Sequence, residues 1–267
     1  MTDHLPLTGR TALVTGVSRR RGIGFAVASR LASMGAGLFV HHHVAHDADQ
    51  PWGADDLDAL LDELRGRLVG DARLDHLGVD LADPDAADHL VDAAATALGH
   101  LDVLVCNHAR SGGDGPLADV TAAMLDGHWQ VNTRATLLLT RAFAAQHDGR
   151  DGGRVVWMTS GQQLGPMPTE IAYATSKAAL AGVTASVAHD LADRGIVLNT
   201  VNPGPVNTGY LDEPPDGSPE LARLRALFPS GRFGEPDDPA RLIAWLVSDE
   251  GRWVVGQVLD TEGGFRR

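Results

Sequence analysis

The sequence predicts an α/β domain: a doubly wound parallel sheet of about seven strands with helices on both faces. Short apolar runs rich in valine and leucine alternate with longer segments of helical spacing along the chain. A glycine-rich turn links the first such strand to a helix, and several later strands run into polar residues. Repeated alternation of strand and helix favours parallel strands joined by helical crossovers.

The individual elements follow from these runs. Strands are predicted at residues 11–15, 37–42, 74–79, 101–106, 154–160, 196–201 and 256–260. Helices are predicted at residues 25–34, 55–68, 85–98, 121–146, 173–193, 219–228 and 239–248. Asp83 is the predicted N-cap of the third helix, with Pro84 at its first position. Residues 44–53 are predicted as a loop.

No linker, repeat or low-complexity segment divides the chain, so residues 1–267 are predicted to form one domain. Residues 206–228, which contain Pro214-Pro215 and a mixture of leucine and acid, are predicted to form a lid over the substrate.

Composition limits the possible classes of protein. A hydrophobic content of 43% is enough for a full core, and a formal net charge of −13 argues against nucleic acid or an anionic membrane as partner. The single cysteine, Cys106, excludes an intramolecular disulfide and fits a reducing cytoplasm, and its apolar surroundings predict a buried, unreactive thiol. No apolar run reaches the roughly 18 residues of a membrane span, and no signal-peptide core is found at the N-terminus. We therefore expect a cytoplasmic protein.

The first predicted strand runs into a glycine-rich turn that spans Gly16 to Gly24, directly before a helix. Glycines allow the backbone to approach a pyrophosphate, and the free N–H groups at the helix N-terminus favour negative charge. Such a turn alone is weak evidence, but its position between strand and helix predicts a dinucleotide site.

The residues at the end of the second strand indicate which dinucleotide binds. An Asp or Glu there would hold the ribose 2′-hydroxyl of NAD, but this chain has His42 and His43 instead. Arg19, Arg20 and Arg21 stand in the neighbouring glycine turn, and guanidinium groups bind phosphate well. These residues favour NADP(H), with NAD(H) as the alternative.

The histidines at residues 41–43, together with His46, also raise the possibility of a metal site. Consecutive strand residues point to alternate faces, so the three cannot converge on one ion. No nearby spacing supplies a convincing fourth ligand. We therefore expect no metal.

A Tyr-x-x-x-Lys pair, Tyr173 and Lys177, is the sharpest chemical signal. Lys177 is the only lysine of the chain, and Tyr173 is one of two tyrosines. Spacing i, i+4 puts both side chains on one helix face. There the ammonium is expected to lower the pKa of the phenol from about 10 toward neutral, so that it could exchange a proton at pH 7.

Two more polar residues belong to this set. The fifth predicted strand delivers Ser160 to the same sheet edge. Asn132 lies within a predicted helix among apolar neighbours, where an asparagine is either hydrogen-bonded or functional.

Together these residues resemble the short-chain dehydrogenase/reductase family, and the likeness covers essentially the whole chain. The spacings of 13 residues from Ser160 to Tyr173 and of 28 from Asn132 to Ser160 are typical of that family. Residues 231–236 and 256–264 look like its 3-oxoacyl-acyl-carrier-protein reductase branch. The matching positions are Thr15-Gly16, Gly22-Ile23-Gly24, Asp80, Asn107-His108-Ala109, Asn132, Ser160, Tyr173, Lys177, Pro203-Gly204 and Thr208.

The resemblance implies a Rossmann-type fold and roles for these residues. Tyr173 would be the general acid that protonates a ketone oxygen, and Ser160 would hydrogen-bond the same oxygen. Lys177 would hold the nicotinamide ribose, lower the pKa of Tyr173 and pass protons through a water that Asn132 positions. The resulting candidate cofactor residues are Gly16, Ser18, Arg19, Arg20, Arg21, Gly22, Ile23, Gly24, His42, His43, Asp80, Leu81, Asn107, His108, Ala109, Tyr173, Lys177, Pro203, Gly204, Val206 and Thr208.

The substrate side is less defined. The expected partner is a small carbonyl compound, a 3-oxoacyl thioester linked to a carrier protein or CoA, or a ketone of secondary metabolism. The family habit also implies a homotetramer or homodimer. The candidate substrate residues are Arg110, Gln162, Leu164, Met167 and Tyr210.

The chain departs from the family pattern at three positions. Five residues separate Gly16 from Gly22, two more than usual, so which arginine would meet a 2′-phosphate stays open. Arg110 replaces the usual last glycine of the Asn-Asn-Ala-Gly motif, which adds bulk and charge to the pocket. Val197 replaces a common arginine, an exchange expected to affect packing only.

Two other functions are alternatives to a carbonyl oxidoreductase. An enoyl-thioester reductase is an alternative, because that related group accepts longer glycine loops, but its tyrosine and lysine are usually more widely spaced. A non-catalytic, cofactor-sensing protein is the other alternative. Such proteins usually lose the serine, tyrosine or lysine, and this chain keeps all three.

Overall fold

The computed structural model describes residues 5–212, 214 and 216–267. Residues 1–4, and Glu213 and Pro215 of the predicted lid, lie outside the described residues. Within the described ranges, no helix is both long and apolar enough to cross a membrane.

The strands form one seven-stranded parallel sheet in the order β3-β2-β1-β4-β5-β6-β7. The fold class predicted from the sequence is thereby confirmed. In chain order the strands are β1 Thr11–Val14, β2 Gly37–His42, β3 Leu74–Gly78, β4 Val103–Cys106, β5 Gly153–Met158, β6 Ile196–Asn202 and β7 Val258–Asp260.

The helices cover both faces of this sheet. In chain order they are α1 Ile23–Ser33, α2 Val44–Ala48, α3 Leu57–Arg65, α4 Ala86–Leu98, α5 Ala122–His128, α6 Ala135–Gln146, α7 Ile171–Ala192, α8 Pro219–Ala226 and α9 Asp237–Val247. A π-helical segment, Trp129–Arg134, joins α5 to α6.

Successive side chains of each strand contact opposite faces of the sheet, which explains why helices are needed on both faces. Ala12 and Val14 of β1 pack into an apolar cluster with α1, α3 and α9, whereas Leu13 packs into a second cluster with α4, α6 and α7. Successive strand residues point to opposite faces, so a strand that is apolar throughout must be covered twice. Strand β4 follows the same rule, with Val105 on the first face and Leu104 on the second.

Cys106 ends β4 and is buried, as predicted. Burial raises the pKa of its thiol. The thiol therefore stays protonated and unreactive at neutral pH.

Several local predictions were wrong. Helix α4 begins at Ala86 rather than at residue 85, and Asp83 is not its N-cap: the Asp83 carboxylate accepts a hydrogen bond from the Asp85 backbone N at 2.9 Å, in the turn before the helix. Residues 44–53 are not all loop, because they contain α2. The helix predicted over residues 121–146 is interrupted by the π-helical segment.

The strand order reverses between β1 and β4, which lie side by side in the centre of the sheet. In open α/β sheets, ligands bind outside the carboxyl ends of the strands at such a reversal. A functional site is therefore expected at the loops that follow β1 and β4.

The segment predicted as a lid has a small apolar core of its own. Leu211 and Phe228 pack with Phe233 in a cluster separate from the two main ones. Val206 forms an isolated parallel bridge with Gly234. Helix α8 begins at a Ser218 cap, whose hydroxyl accepts a hydrogen bond from the Leu221 backbone N at 3.2 Å.

Replacing Leu104 by alanine should lower the free energy of unfolding by about 2–5 kcal/mol, because this side chain is fully buried in the central sheet. Leu117→Ala is the matched control, since Leu117 is 77% exposed, and it should change stability by less than about 0.5 kcal/mol. Urea unfolding followed by circular dichroism measures both. Equal losses in the two variants would contradict the core assignment.

Candidate active site

A cavity of about 690 Å³ opens at the carboxyl ends of the central strands, as the strand order predicts. It contains most of the residues predicted from the glycine turn and from the end of β4. From the predicted set it is lined by Gly16, Ser18, Arg19, Gly22, Ile23, His43, Asp80, Leu81, Asn107, His108, Ala109, Arg110 and Thr208.

The glycine turn is packed too closely for side chains. A Cβ on Gly24 would lie 2.3 Å from the Gly16 carbonyl oxygen, and a Cβ on Gly16 would lie 2.8 Å from the His108 Cα. Gly16 also has φ +71°, in the left-handed region that favours glycine. These two glycines bring the turn and the helix start together. The N-terminus of α1 has no side-chain cap and no acidic residue in its first turn, so its dipole is free to attract an anion.

Asn107 fixes this turn to the end of β4. Its side-chain amide donates hydrogen bonds to the carbonyl oxygens of Thr15 at 3.1 Å and Gly16 at 3.0 Å. Its backbone N donates to the Thr15 hydroxyl at 3.0 Å. The asparagine predicted at the adenosine ribose therefore also holds the wall of the cavity.

Of the three arginines in the glycine turn, Arg19 is the one that faces the cavity. Its guanidinium donates to the Thr208 carbonyl oxygen and lies 4.0 Å from Asp47 and 5.1 Å from the ring centroid of Trp52. Burial lowers the pKa of Arg19, and the charge of Asp47 partly offsets this shift.

The other two arginines are paired with carboxylates at the surface. Arg20 binds Asp55 through several hydrogen bonds, and Arg21 binds both oxygens of Asp212 at 2.7 Å. Neither lines the cavity among the described residues. The structure thus separates three residues that the sequence could not distinguish.

The histidines at the end of β2 also separate. His43 lines the cavity, and its backbone N donates to the Ser18 hydroxyl at 3.2 Å. His42 does not line it; its Nε2 lies 3.1 Å from Nδ1 of His76 on β3. His41, which was not predicted as a cofactor residue, lines the cavity instead. Its Nδ1 accepts a hydrogen bond from the Gly16 backbone N at 3.2 Å.

Ser160, Tyr173 and Lys177 come together outside the cavity wall: none of the three lines it in the described part of the chain, but the charge of Lys177 acts on His108, which does. Ser160 follows β5, and the other two lie one turn apart on α7. The ammonium of Lys177 is buried, donates to the Met158 carbonyl oxygen at 2.9 Å and lies 5.8 Å from the centroid of the Tyr173 ring. The predicted serine, tyrosine and lysine are therefore neighbours in the structure.

The pKa values of this pair differ from the prediction. Burial raises the pKa of Tyr173 to about 12; a hydrogen bond with Ser160 opposes the shift, and the charge of Glu170 adds to it. Burial also lowers the pKa of Lys177 to about 8. The expectation of a tyrosine pKa lowered toward neutral is wrong in this structure, because desolvation raises the pKa by more than the hydrogen bond with Ser160 lowers it.

Asn132 lies within the π-helical segment and is fully buried. Its Oδ1 accepts from the Arg110 backbone N at 2.7 Å, and its Nδ2 donates to the Arg110 carbonyl oxygen at 3.2 Å and to the Ser176 hydroxyl at 2.9 Å. Insertions of this type into α-helices are frequent at functional sites. The side-chain amide thus ties the loop after β4 to the helix that carries Tyr173.

Arg110 fits into the site because of a glycine opposite it. A Cβ on Gly127 of α5 would lie 2.3 Å from the Arg110 Nη1, so the guanidinium occupies space that any other residue would fill. Within the part of the chain that the structure describes, no carboxylate forms an ion pair with it. The Arg110 guanidinium therefore adds a positive charge to the cavity, as predicted.

The predicted substrate residues after Ser160 are not part of the cavity wall formed by the described residues. Gln162 donates to the Thr159 hydroxyl at 3.1 Å, Leu164 is exposed and Met167 is half-buried. Tyr210 is half exposed, yet partial desolvation raises its pKa, and the charges of Tyr173 and Glu170 add to the shift, so Tyr210 lies near Tyr173.

Three predicted cofactor residues that follow β6 pack against neighbouring protein groups: Pro203, Gly204 and Val206. Gly204 adopts φ +68° and leaves no space for a Cβ, which would lie 2.8 Å from the Glu262 Cα. Gly204 also donates its N–H to the Asn202 side chain at 3.0 Å, directly after Pro203. Val206 is buried. In the described residues, none of these three lines the cavity.

The sequence missed the residues that close the cavity opposite the glycine turn. They lie on α2 and just after it, where five helical residues are too few for a periodic pattern to be visible. An isolated tryptophan in a polar segment was the one available signal. The lining residues of this segment are Ala45, His46, Asp47, Asp49, Gln50 and Trp52.

Known proteins resemble this chain over nearly its full length. A family model described as enoyl-(acyl carrier protein) reductase matches residues 16–266. An uncharacterized oxidoreductase of Bacillus subtilis, YjdA, is 37% identical over 262 residues, which are 97% of both chains. An Arabidopsis thaliana protein named NADPH-dependent aldehyde reductase-like protein, chloroplastic, is 33% identical to this chain over 266 residues. The match covers 98% of this chain and 96% of the Arabidopsis protein.

Solved structures of similar fold include members of the same class of oxidoreductases. A short-chain dehydrogenase from Burkholderia cenocepacia in complex with NADP superposes with a TM-score of 0.81 at 34% identity, covering 97% of this chain and 98% of that one. The chain therefore belongs to the short-chain dehydrogenase/reductase family, a family of oxidoreductases.

Proposed function

We propose that this protein is an NADP(H)-dependent reductase of a carbonyl compound, with Tyr173 as the proton donor. The observation that carries the proposal is the meeting of the half-buried Tyr173 with the buried Lys177 and with Ser160, close to a cavity with an uncapped helix N-terminus. Hydride transfer to a carbonyl needs both a dinucleotide site and a positioned acid.

The residues of the cavity fit NADP(H). The glycine turn has no room for side chains where a pyrophosphate would approach, and the α1 N-terminus favours its charge. Arg19, with His43 nearby, would bind the ribose 2′-phosphate, because a guanidinium suits phosphate and no acid ends β2. The NADP complex of the Burkholderia relative and the name of the Arabidopsis relative support this choice.

Bound NADPH would supply the hydride, and this chain would supply the proton. Ser160 would donate a hydrogen bond to the carbonyl oxygen, and Tyr173 would transfer its proton to that oxygen as negative charge develops. A phenol with a pKa of about 12 is protonated at neutral pH, as an acid in a reduction must be. The Lys177 ammonium would stabilise the phenolate that remains.

Asn132 has a positioning role in this proposal. Both ends of its amide are already engaged with Arg110 and Ser176, so its side chain holds the site together rather than contacting the substrate. Ser176 in turn donates to the Tyr173 carbonyl oxygen at 2.7 Å.

The substrate class that fits best is a medium-sized ketone or 3-oxoacyl thioester. Leu164 and Met167 offer apolar contacts, while Gln162 and Tyr210 offer polar ones. A second candidate is an enoyl thioester, because the matching family model is described by that reaction. The four-residue spacing of Tyr173 and Lys177 favours the carbonyl.

A substrate panel separates these candidates. NADPH oxidation should be followed with aromatic ketones, aldehydes, acetoacetyl-CoA as a 3-oxoacyl thioester and crotonyl-CoA as an enoyl thioester. Tyr173→Phe should reduce turnover of the preferred carbonyl by roughly 100- to 10,000-fold, the usual contribution of a general acid. Its NADPH dissociation constant should change far less than turnover, because phenylalanine keeps the aromatic ring and removes only the hydroxyl that donates the proton.

The Thr175→Ala variant is the control, since Thr175 lies on the same helix, is exposed and donates its hydroxyl only to the Ile171 carbonyl oxygen, so most activity should be retained. Turnover of crotonyl-CoA alone would replace the carbonyl proposal with the enoyl one. No turnover with any member of the panel despite tight NADPH binding would favour a cofactor-sensing protein.

Arg19→Ala should weaken NADPH binding by roughly 10- to 100-fold and NADH binding by less than about threefold, because a hydrogen bond to a charged group contributes about 1.5–3 kcal/mol. Fluorescence titration of both coenzymes measures this. Arg20→Ala and Arg21→Ala are the controls, since their guanidiniums are paired with Asp55 and Asp212. Equal losses for both coenzymes would show that Arg19 holds the lid through Thr208 and does not recognise the phosphate.

The reductive kcat/KM should be constant below about pH 7 and fall above pH 8. Lys177, with a pKa of about 8, loses its charge there, whereas Tyr173 keeps its proton until about pH 12. In Lys177→Arg the overall rate should be lower, but the fall near pH 8 should disappear, because guanidinium stays charged. A fall near pH 8 that persists in this variant would assign the titration to another group.

A further inference from the structure

One buried carboxylate that was not among the predicted site residues contacts the helix that carries Tyr173. Asp114 lies in the glycine-rich loop after β4, and its side chain is 6% exposed. Its Oδ2 accepts a hydrogen bond from the Tyr173 backbone N at 2.7 Å, and its Oδ1 accepts one from the Ala172 backbone N at 3.0 Å. The carboxylate therefore binds the backbone of the tyrosine itself.

Helix α7 needs such a partner. The first N–H groups of any helix have no carbonyl within the helix to bind, and a side chain of the preceding residue usually satisfies one of them. Here Glu170, the residue before α7, makes no side-chain capping hydrogen bond. Asp114, more than fifty residues away in sequence, satisfies two of these groups instead. Its negative charge is also favourable at the positive end of the helix.

The loop is built so that Asp114 can reach this position. Gly112 and Gly113 adopt φ +75° and +61°, which turns the chain sharply before the aspartate. The Gly115 backbone N then donates to Asp114 Oδ1 at 2.8 Å and fixes the carboxylate locally.

A buried histidine completes the surroundings of the carboxylate. His128 of α5 is fully buried, with its Nε2 3.9 Å from Asp114 Oδ2, and its ring meets the Tyr173 ring edge-on at a centroid distance of 6.1 Å. Burial alone would raise the pKa of Asp114, but the three backbone donors and His128 hold it below its ordinary value. Asp114 is thus charged at neutral pH while it binds α7.

We propose that Asp114 is a positioning residue for catalysis: it anchors the first turn of α7 so that the Tyr173 phenol stands at the reacting carbonyl. The inference rests on the proposed role of Tyr173 as proton donor. Small displacements of a reacting group cost up to roughly 100-fold in rate. The hydrogen bond to the Tyr173 backbone acts at the residue where displacement matters most.

The test compares Asp114→Ala, Asp114→Asn and Asp119→Asn with the wild type, using NADPH and acetoacetyl-CoA or the best ketone of the panel. Asp119 is the control, because it lies in the same connection, is exposed and makes none of these contacts. Asp114→Ala should lower kcat roughly 10- to 100-fold while the NADPH dissociation constant changes less than about twofold. Asp114→Asn keeps one acceptor oxygen and should fall between Asp114→Ala and the wild type.

Amide hydrogen exchange provides a readout that does not depend on turnover. In Asp114→Ala the amides of Ala172 and Tyr173 should exchange at least tenfold faster, while amides in β4 and β5 keep their protection. If Tyr173→Phe retains full activity, the proposed function fails, yet faster exchange at these two amides would still support the anchoring. A lowered melting temperature with unchanged kcat, or unchanged exchange at these amides, would overturn the inference.

Discussion

The carboxyl edge of the sheet depends on the buried hydroxyl of Thr15. This oxygen accepts hydrogen bonds from the backbone N of Asn107 at 3.0 Å and of His108 at 3.2 Å, and lies 2.7 Å from the His108 Nδ1. His108 Nε2 faces the Val131 carbonyl oxygen, which can only accept, so Nδ1 is the unprotonated nitrogen and receives the Thr15 proton. One hydroxyl thus joins the ends of β1 and β4 on either side of the strand reversal.

The same hydrogen bonds continue into α7. His108 binds the carbonyl of Val131, and the next residue, Asn132, binds the loop after β4 and the Ser176 hydroxyl. Ser176 donates to the Tyr173 carbonyl oxygen. The cavity and Tyr173 are therefore connected through groups that are almost all buried and mutually satisfied. Such networks fix relative positions well, because leaving any one member unpaired in the interior is costly.

The sequence was sufficient for the fold and for the residues that meet, because these depend on local patterns: apolar runs, a glycine turn between strand and helix, and a four-residue spacing. It could not select among Arg19, Arg20 and Arg21, since the choice depends on Asp55 and Asp212, which are 35 and 191 residues away. It also missed α2, whose five residues show no periodicity. The pKa of the tyrosine was predicted in the wrong direction because spacing gives proximity but not burial.

Burial also explains why this chain keeps one lysine among its many arginines. An ammonium held at the Met158 carbonyl and next to a buried cysteine loses solvation, and its pKa falls to about 8. A guanidinium in the same place would be larger, planar and permanently charged. The lysine side chain can therefore release its proton close to physiological pH, which an arginine could not do. The single lysine thus stands at a buried position that suits a compact cation able to titrate.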